Sequence, residues 1–164
     1  MKCGFWNVRG WASSNSSDKP ILRSECIKKA SVDVIGLAET HLRDNETIHL
    51  EGYNWIGQNR QVIHRKARCG SGGIGLLVKR DIGLTHTILD DSIEGILWVS
   101  LYQDELLVVN ICVCYLPPEY SSRAIDASEF YEQLLTQVYC YQKNCDFIIC
   151  GDINSRCGFY RRSR

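Results

Sequence analysis

Residues 106–116, read Leu-Leu-Val-Val-Asn-Ile-Cys-Val-Cys-Tyr-Leu, are apolar on both faces of an extended chain, with Asn110 the one exception. A strand of that kind needs a covering layer on each side, so it belongs at the centre of a sheet packed front and back. Pro117 and Pro118 end it, because neither can donate to a ladder. Further strand patterns occupy residues 2–8, 32–38, 53–57, 73–79, 84–89, 96–103 and 146–153.

Two helical patterns interrupt the strands. Residues 20–30 follow Asp18 as a candidate cap and carry Leu22, Cys26, Ile27 and Ala30 on one stripe. Residues 128–143 follow Asp126, with Glu129 three positions on, and present Phe130, Leu134, Val138 and Tyr141 on one face. The order β-α-β, several strands, then α-β predicts an α/β sandwich in which helices cover a β core.

The chain has 164 residues, 45% of them apolar and 23% charged, which suits one folded domain with a real core. No apolar run approaches the roughly 20 residues that span a bilayer. The start, Met1 to Trp6, is too short an apolar patch for a secretory signal, so an intracellular setting is expected. Nine cysteines without a Cys-x-x-Cys pair read as reduced, mostly buried thiols; a zinc site using Cys140, Cys145 or Cys157 is the alternative. Lys plus Arg and Asp plus Glu both number 19, so any attraction for nucleic acid must be local. Residues 60–68, with Arg65, Lys66 and Arg68, are one candidate footprint, and the tail with Arg156, Arg161, Arg162 and Arg164 is another. A solvated loop and a frayed end are the plainer accounts of the two.

Four strands end in polar residues. Ile148 and Cys150 lead in phase to Asp152, with Asn154 next on that face; Cys3 and Phe5 lead to Asn7. Ile35 and Leu37 lead to Glu39, and Leu107 to Val113 lead to Tyr115. If those faces point inward, Asn, Glu, Tyr, Asp and Asn converge as ligands for a metal and a phosphate. Each has a bland account: a solvated Glu, an Asx turn at Gly151-Asp152-Ile153-Asn154, a core Tyr, a strand-end Asn. The run Cys69-Gly-Ser-Gly-Gly-Ile-Gly75 lacks Gly-Lys-Ser/Thr and leads into a strand, so it is expected to be a glycine turn rather than a nucleotide loop.

Phe5-Trp6-Asn7-Val8-Arg9-Gly10 and Val34-Ile35-Gly36-Leu37-Ala38-Glu39-Thr40-His41-Leu42 resemble the first two motifs of the endonuclease/exonuclease/phosphatase superfamily. Gly72 to Leu77, Val113 to Pro118 and Gly151 to Asn154 continue the resemblance in order. The wording is most similar to the apurinic-type endonuclease domain of LINE-like, non-LTR retrotransposons. That resemblance implies a DNase I-like, four-layer αββα sandwich over residues 1–164, incomplete at its carboxyl end. It implies a Mg²⁺-dependent (or Mn²⁺-dependent) endonuclease that nicks double-stranded DNA to prime reverse transcription, acting in the nucleus beside a reverse transcriptase domain. Glu39 would hold the metal with Asn7 beside it, Asp152 supported by Asn154 would deprotonate the attacking water, and Tyr115 would bond the scissile phosphate.

Two departures stand out. Arg9 replaces an Asp found in DNA-repair members, a feature shared with retroelement members. The closing Ser-Asp-His run of the superfamily is absent: only Phe-Tyr-Arg-Arg-Ser-Arg follows Gly158, and no histidine lies beyond His86. Loss of one preorganised donor costs roughly 10²–10³ in rate, so an inert fragment of such a domain is one rival expectation. An exposed sheet edge and apolar surface should accompany the missing segment. A phosphoesterase of the same superfamily acting on lipid, inositol phosphate or poly(A) is the other rival.

Overall fold

In the computed structural model of this chain, residues 1–12, 18–61, 70–121, 124–142 and 145–154 are described. Among them the chain forms β1 (Cys3–Asn7), α1 (Lys19–Ala30), β2 (Val34–Ala38), β3 (Tyr53–Gln58), β4 (Ile74–Lys79), β5 (Leu84–Ile93), β6 (Ile96–Gln103), β7 (Leu106–Tyr115), α2 (Ala127–Tyr141) and β8 (Phe147–Asp152). Each sequence-predicted strand is present. The largest change in length is β5, which runs on to Ile93 through register shifts on either side of Asp90.

The strands make two sheets of four, in the orders β1-β2-β4-β3 and β5-β6-β7-β8. β1 with β2 and β7 with β8 are parallel pairs, and the other neighbours are antiparallel. Parallel neighbours need a long crossover, which α1 and α2 provide. The helices thus lie where the sequence order demands.

Side-chain alternation sorts the core into three apolar layers. Between the sheets, Val34, Ala38, Leu76 and Val78 meet Val99, Ile111, Val113 and Tyr115. Ile35, Leu37 and Leu77 pack outward with Ile27 of α1. Trp98, Cys112 and Cys114 pack outward with Phe130 of α2. These are the four layers of an αββα, DNase I-like sandwich, and β7 is buried on both faces as its sequence requires.

α2 keeps its predicted face, and Asp126 caps it by accepting from the Glu129 N–H at 3.0 Å. α1 does not. Leu22 is 58% exposed and Cys26 and Ala30 face solvent, while Ile27 alone is buried. The inward face instead holds Arg23, which donates to the carbonyls of Trp11 (2.6 Å) and Val8 (2.8 Å). Two orphan carbonyls beside the sheet outweighed an apolar stripe in orienting this helix.

The thiols need a similar correction. Cys112 and Cys114 are buried, but Cys3, Cys26 and Cys140 are exposed; Cys69 and Cys157 lie outside the described residues. Among the described residues no His, Cys and carboxylate groups cluster to hold a metal, so the zinc alternative gains nothing at Cys140 or Cys145. β1 and β8 are edge strands of their sheets, and Ile148 and Ile149 of β8 are 36% and 41% exposed. An open apolar cleft of about 240 Å³ lies between these edges, lined by Phe5, Gly36, Ile148 and Cys150 among others. The expected bare edge is there.

Candidate active site

The carboxyl ends of β1, β2, β7 and β8 meet at one mouth of the sandwich. Asn7 Nδ2 donates to Glu39 Oε1 at 3.1 Å and to Asp152 Oδ2 at 2.7 Å. Tyr115 Oη, from the opposite sheet to Glu39, donates to the same Glu39 Oε1 at 3.0 Å. The Arg9 N–H donates to Asn7 Oδ1 at 3.1 Å, which fixes the amide with its nitrogen toward the carboxylates. Asn7 therefore stands beside Glu39 as expected, but as a donor shared by two carboxylates.

Strand phase brings Asn7, Tyr115 and Asp152 inward: Phe5, Val113 and Cys150, two residues before each, all pack between the sheets. For Glu39 the phase argument fails. Ile35 and Leu37 face α1, so simple alternation would send Glu39 to the outer side. The backbone reverses instead: Glu39 and His41 both adopt left-handed conformations, with φ 52° and 57°. The surroundings hold this costly turn in place. Gly10 N–H donates to Glu39 O at 2.6 Å and Trp11 N–H to Thr40 O at 2.7 Å. On the other flank, Thr40 N–H donates to Gly73 O at 3.1 Å and His41 N–H to Gly72 O at 2.9 Å.

This explains the glycine run, which is a turn opening β4 as predicted. A Cβ on Gly70 would sit 2.4 Å from His41 O, and one on Gly73 (φ 79°) 2.5 Å from Thr40 Oγ1. The glycines let the loop press against the turn that aims Glu39. His41, Thr40, Gly72 and Gly73 are therefore positioning residues that sequence reasoning missed. The signal for them was the glycine spacing itself, read only as a turn. His41 Nε2 stands 3.7 Å from Glu39 Oε2, and both side chains are about four-fifths buried, at 22% and 20% exposure.

Gly151-Asp152-Ile153-Asn154 is an Asx turn that also brings Asp152 to the mouth. Asp152 Oδ1 accepts from Asn154 N–H at 3.2 Å, leaving Oδ2 for Asn7. Asn154 (φ 41°) spends its Nδ2 on Leu116 O at 3.0 Å, so it ties the end of β8 to the end of β7. Behind the mouth, burial pushes the Cys150 thiol up to about 12, so it stays a neutral packing group.

Around the mouth, Arg60 pairs with Glu94 at 3.0 Å in a cleft of about 300 Å³ that Tyr115 also lines. Arg65, Lys66 and Arg68, and the basic tail, lie outside the described residues. The donor set suits a hard cation: oxygens of two carboxylates on one amide, partly open to solvent. No third His, Cys or acidic ligand completes a cage among the described residues. Mg²⁺ is content with one or two carboxylates plus water and substrate oxygens, so these residues fit it.

The chain matches the sequence model of the endonuclease/exonuclease/phosphatase family over residues 4–164. No curated protein sequence matches it. Among solved structures, humanized D. rerio TDP2 aligns at 15% identity with a TM-score of 0.62, covering 93% of this chain and 62% of that one. An AP endonuclease from Archaeoglobus fulgidus aligns at 15% identity and a TM-score of 0.55, covering 94% and 57%. The endonuclease domain of TRAS1, a telomere-specific non-LTR retrotransposon, aligns at 14% identity and a TM-score of 0.58, covering 93% and 58%. The chain thus spans 57–62% of the length of these structures, which share its fold.

Proposed function

The chain belongs to the endonuclease/exonuclease/phosphatase family, and from that premise we propose that it hydrolyses phosphodiesters of double-stranded DNA as the endonuclease domain of a non-LTR retrotransposon. The observation that carries the proposal is the Asn7 amide held between Glu39 and Asp152 at 3.1 and 2.7 Å. Two carboxylates sharing one donor at an open mouth divide naturally into a metal-side group and a proton acceptor.

Glu39 would hold Mg²⁺, or Mn²⁺ in its place, and the ion when bound would neutralise charge on the phosphate oxygens. Asp152, oriented by Asn7 and Asn154, would take the proton of the attacking water. Tyr115 would turn its hydroxyl from Glu39 to the phosphate. The retroelement origin is supported by the wording around Asn7 and Glu39 and by the likeness to the TRAS1 domain. On that origin the nick leaves a 3′-hydroxyl for a reverse transcriptase domain of the same element, in the nucleus.

One observation favours a second reading, a DNA-binding remnant without turnover: Glu39 Oε1 already accepts from both Asn7 Nδ2 and Tyr115 Oη. Nicking of supercoiled plasmid in Mg²⁺ tests both, run beside Glu39→Ala, Asp152→Asn and an EDTA control. Nicking by the native chain alone, abolished by EDTA, is the expected result. Equal nicking by all three proteins would mark contamination and end the catalytic proposal, whereas DNA binding without any nicking would favour the remnant.

A further inference from the structure

We propose that Arg23 is a positioning residue of the candidate site: from α1 it sets Asn7 and Glu39, and with them the affinity for the metal, through residues 8–11. This rests on the nuclease reading above and adds a residue that acts on the site from behind.

Arg23 lies one turn before Ile27, the buried residue of α1, so the two share the helix face turned toward the sheet. A charged side chain there needs partners. Its Nη1 donates to Trp11 O at 2.6 Å and its Nη2 to Val8 O at 2.8 Å. Among the described residues no carboxylate pairs with Arg23, so its charge serves these two carbonyls. Val8, Gly10 and Trp11 are buried, which leaves water a poor substitute.

The other side of the same segment grips the site. Val8 N–H donates to Ala38 O at 3.0 Å, Gly10 N–H to Glu39 O at 2.6 Å and Trp11 N–H to Thr40 O at 2.7 Å. Arg9 N–H donates to Asn7 Oδ1 at 3.1 Å. All four N–H groups of residues 8–11 thus go to Asn7 or to residues 38–40, while the first and last carbonyls go to Arg23. One guanidinium braces the support that Asn7 and Glu39 have in common.

That support is under strain. Arg9 and Gly10 are consecutive left-handed residues, with φ 47° and 88°, and they face a turn in which Glu39 and His41 are left-handed too. A Cβ on Gly10 would stand 3.0 Å from His41 Nδ1, so segment and turn are in contact as well as bonded. Such a conformation persists only where its surroundings fix it from several sides. A planar fork with two donors can hold two carbonyls at once, whereas a lysine ammonium is a single point charge on a flexible stem.

Mn²⁺ binding to the full chain without DNA tests this, read from the electron paramagnetic resonance signal of free Mn²⁺. Arg23→Ala should weaken binding about tenfold, the scale of losing an outer support of a metal ligand. The Mg²⁺ concentration that half-saturates plasmid nicking should rise by the same factor. Phe130→Leu, which loosens the other outer layer, should keep native Mn²⁺ affinity. Arg23→Lys should fall between native and Arg23→Ala; if the alanine variant does not fold, native affinity in Arg23→Lys overturns the role. Native affinity in a folded Arg23→Ala chain overturns it as well, and so does an equal loss in Phe130→Leu at a similar urea midpoint. A native chain that binds Mn²⁺ no better than Glu39→Ala overturns the nuclease reading, and the role of Arg23 with it.

Discussion

Asn7 Nδ2 and Asp152 Oδ2 lie 2.7 Å apart, joined across 145 residues of chain and from an edge strand of one sheet to an edge strand of the other. The same nitrogen reaches Glu39 Oε1 at 3.1 Å. One amide therefore holds two carboxylates in register at the only point where β1 and β8 exchange a side-chain hydrogen bond among those described.

That geometry ranks substitutions at Asn7. Asn7→Ala removes two hydrogen bonds to ionised acceptors and should cost about 1.5–3 kcal/mol in urea unfolding. Asn7→Asp should cost more, because an ionised side chain only accepts and adds a third negative charge. Nicking should fall at least about 100-fold in both. Native stability in Asn7→Asp would contradict the bridging role.

Gly73→Ala should disturb the site without touching it. The new Cβ meets Thr40 Oγ1 at 2.5 Å and must adopt φ 79°. A loss of about 2 kcal/mol is expected, with nicking reduced further than stability explains because the Glu39 turn moves. In a double-mutant cycle, Thr40→Ala should recover the steric part and leave the backbone part. Additive losses would show that the contact is not the cause.

The α2 anchor gives a pH signature. Asp90 accepts from Ser92 Oγ at 2.6 Å, Tyr141 Oη at 2.7 Å and Gln137 Nε2 at 2.9 Å. Burial pushes its pKa up, but the Ser92, Tyr141 and Gln137 bonds outweigh it and hold the carboxyl below 3.8. A depressed folded pKa contributes stability present above the unfolded value and lost as pH falls through the folded one. Burial and Asp90 raise Tyr141 from 10.0 to about 12, so its contribution is complete below pH 10 and lost as pH rises toward 12. Urea midpoints should therefore drop below pH 4 and between pH 10 and 12 in the native chain. Asp90→Asn should remove the acid limb and shrink the alkaline one; unchanged limbs would refute the assignment.

Thiol reactivity should follow burial. Cys26 and Cys140 are exposed and should alkylate with iodoacetamide within the native fold. Cys150, held near 12, and Cys112, raised by its hydrogen bond with Cys114 and by burial, should react only on unfolding. Peptide mapping by mass spectrometry reads this directly, and rapid native labelling of Cys150 would contradict a thiol held neutral near 12.

Much of the architecture was legible along the chain. The two-sided burial of β7, the Asp126 cap and the strand-ending prolines are local patterns, and each appears where periodicity placed it. Asn7, Tyr115 and Asp152 also reach the mouth by strand phase alone. Glu39 reaches the mouth by a route that strand phase does not give, since its strand face looks toward α1 and a left-handed residue turns it back. α1 departs from its apolar stripe because Arg23 finds the carbonyls of Val8 and Trp11, which no helical periodicity reveals.

By itself, the order of residues determined the strands, their alternating faces, the helical crossovers and which polar groups stand at strand ends. These follow from the backbone's fixed repeat and from burial of apolar side chains, both written within a few neighbouring positions. Only the tertiary structure decided that Asn7 bridges Glu39 and Asp152, that glycines press the Glu39 turn into place, and that α1 turns Arg23 toward the carbonyls of Val8 and Trp11. Those depend on how two sheets pack and on bonds between residues far apart in the chain, which no local repeat encodes.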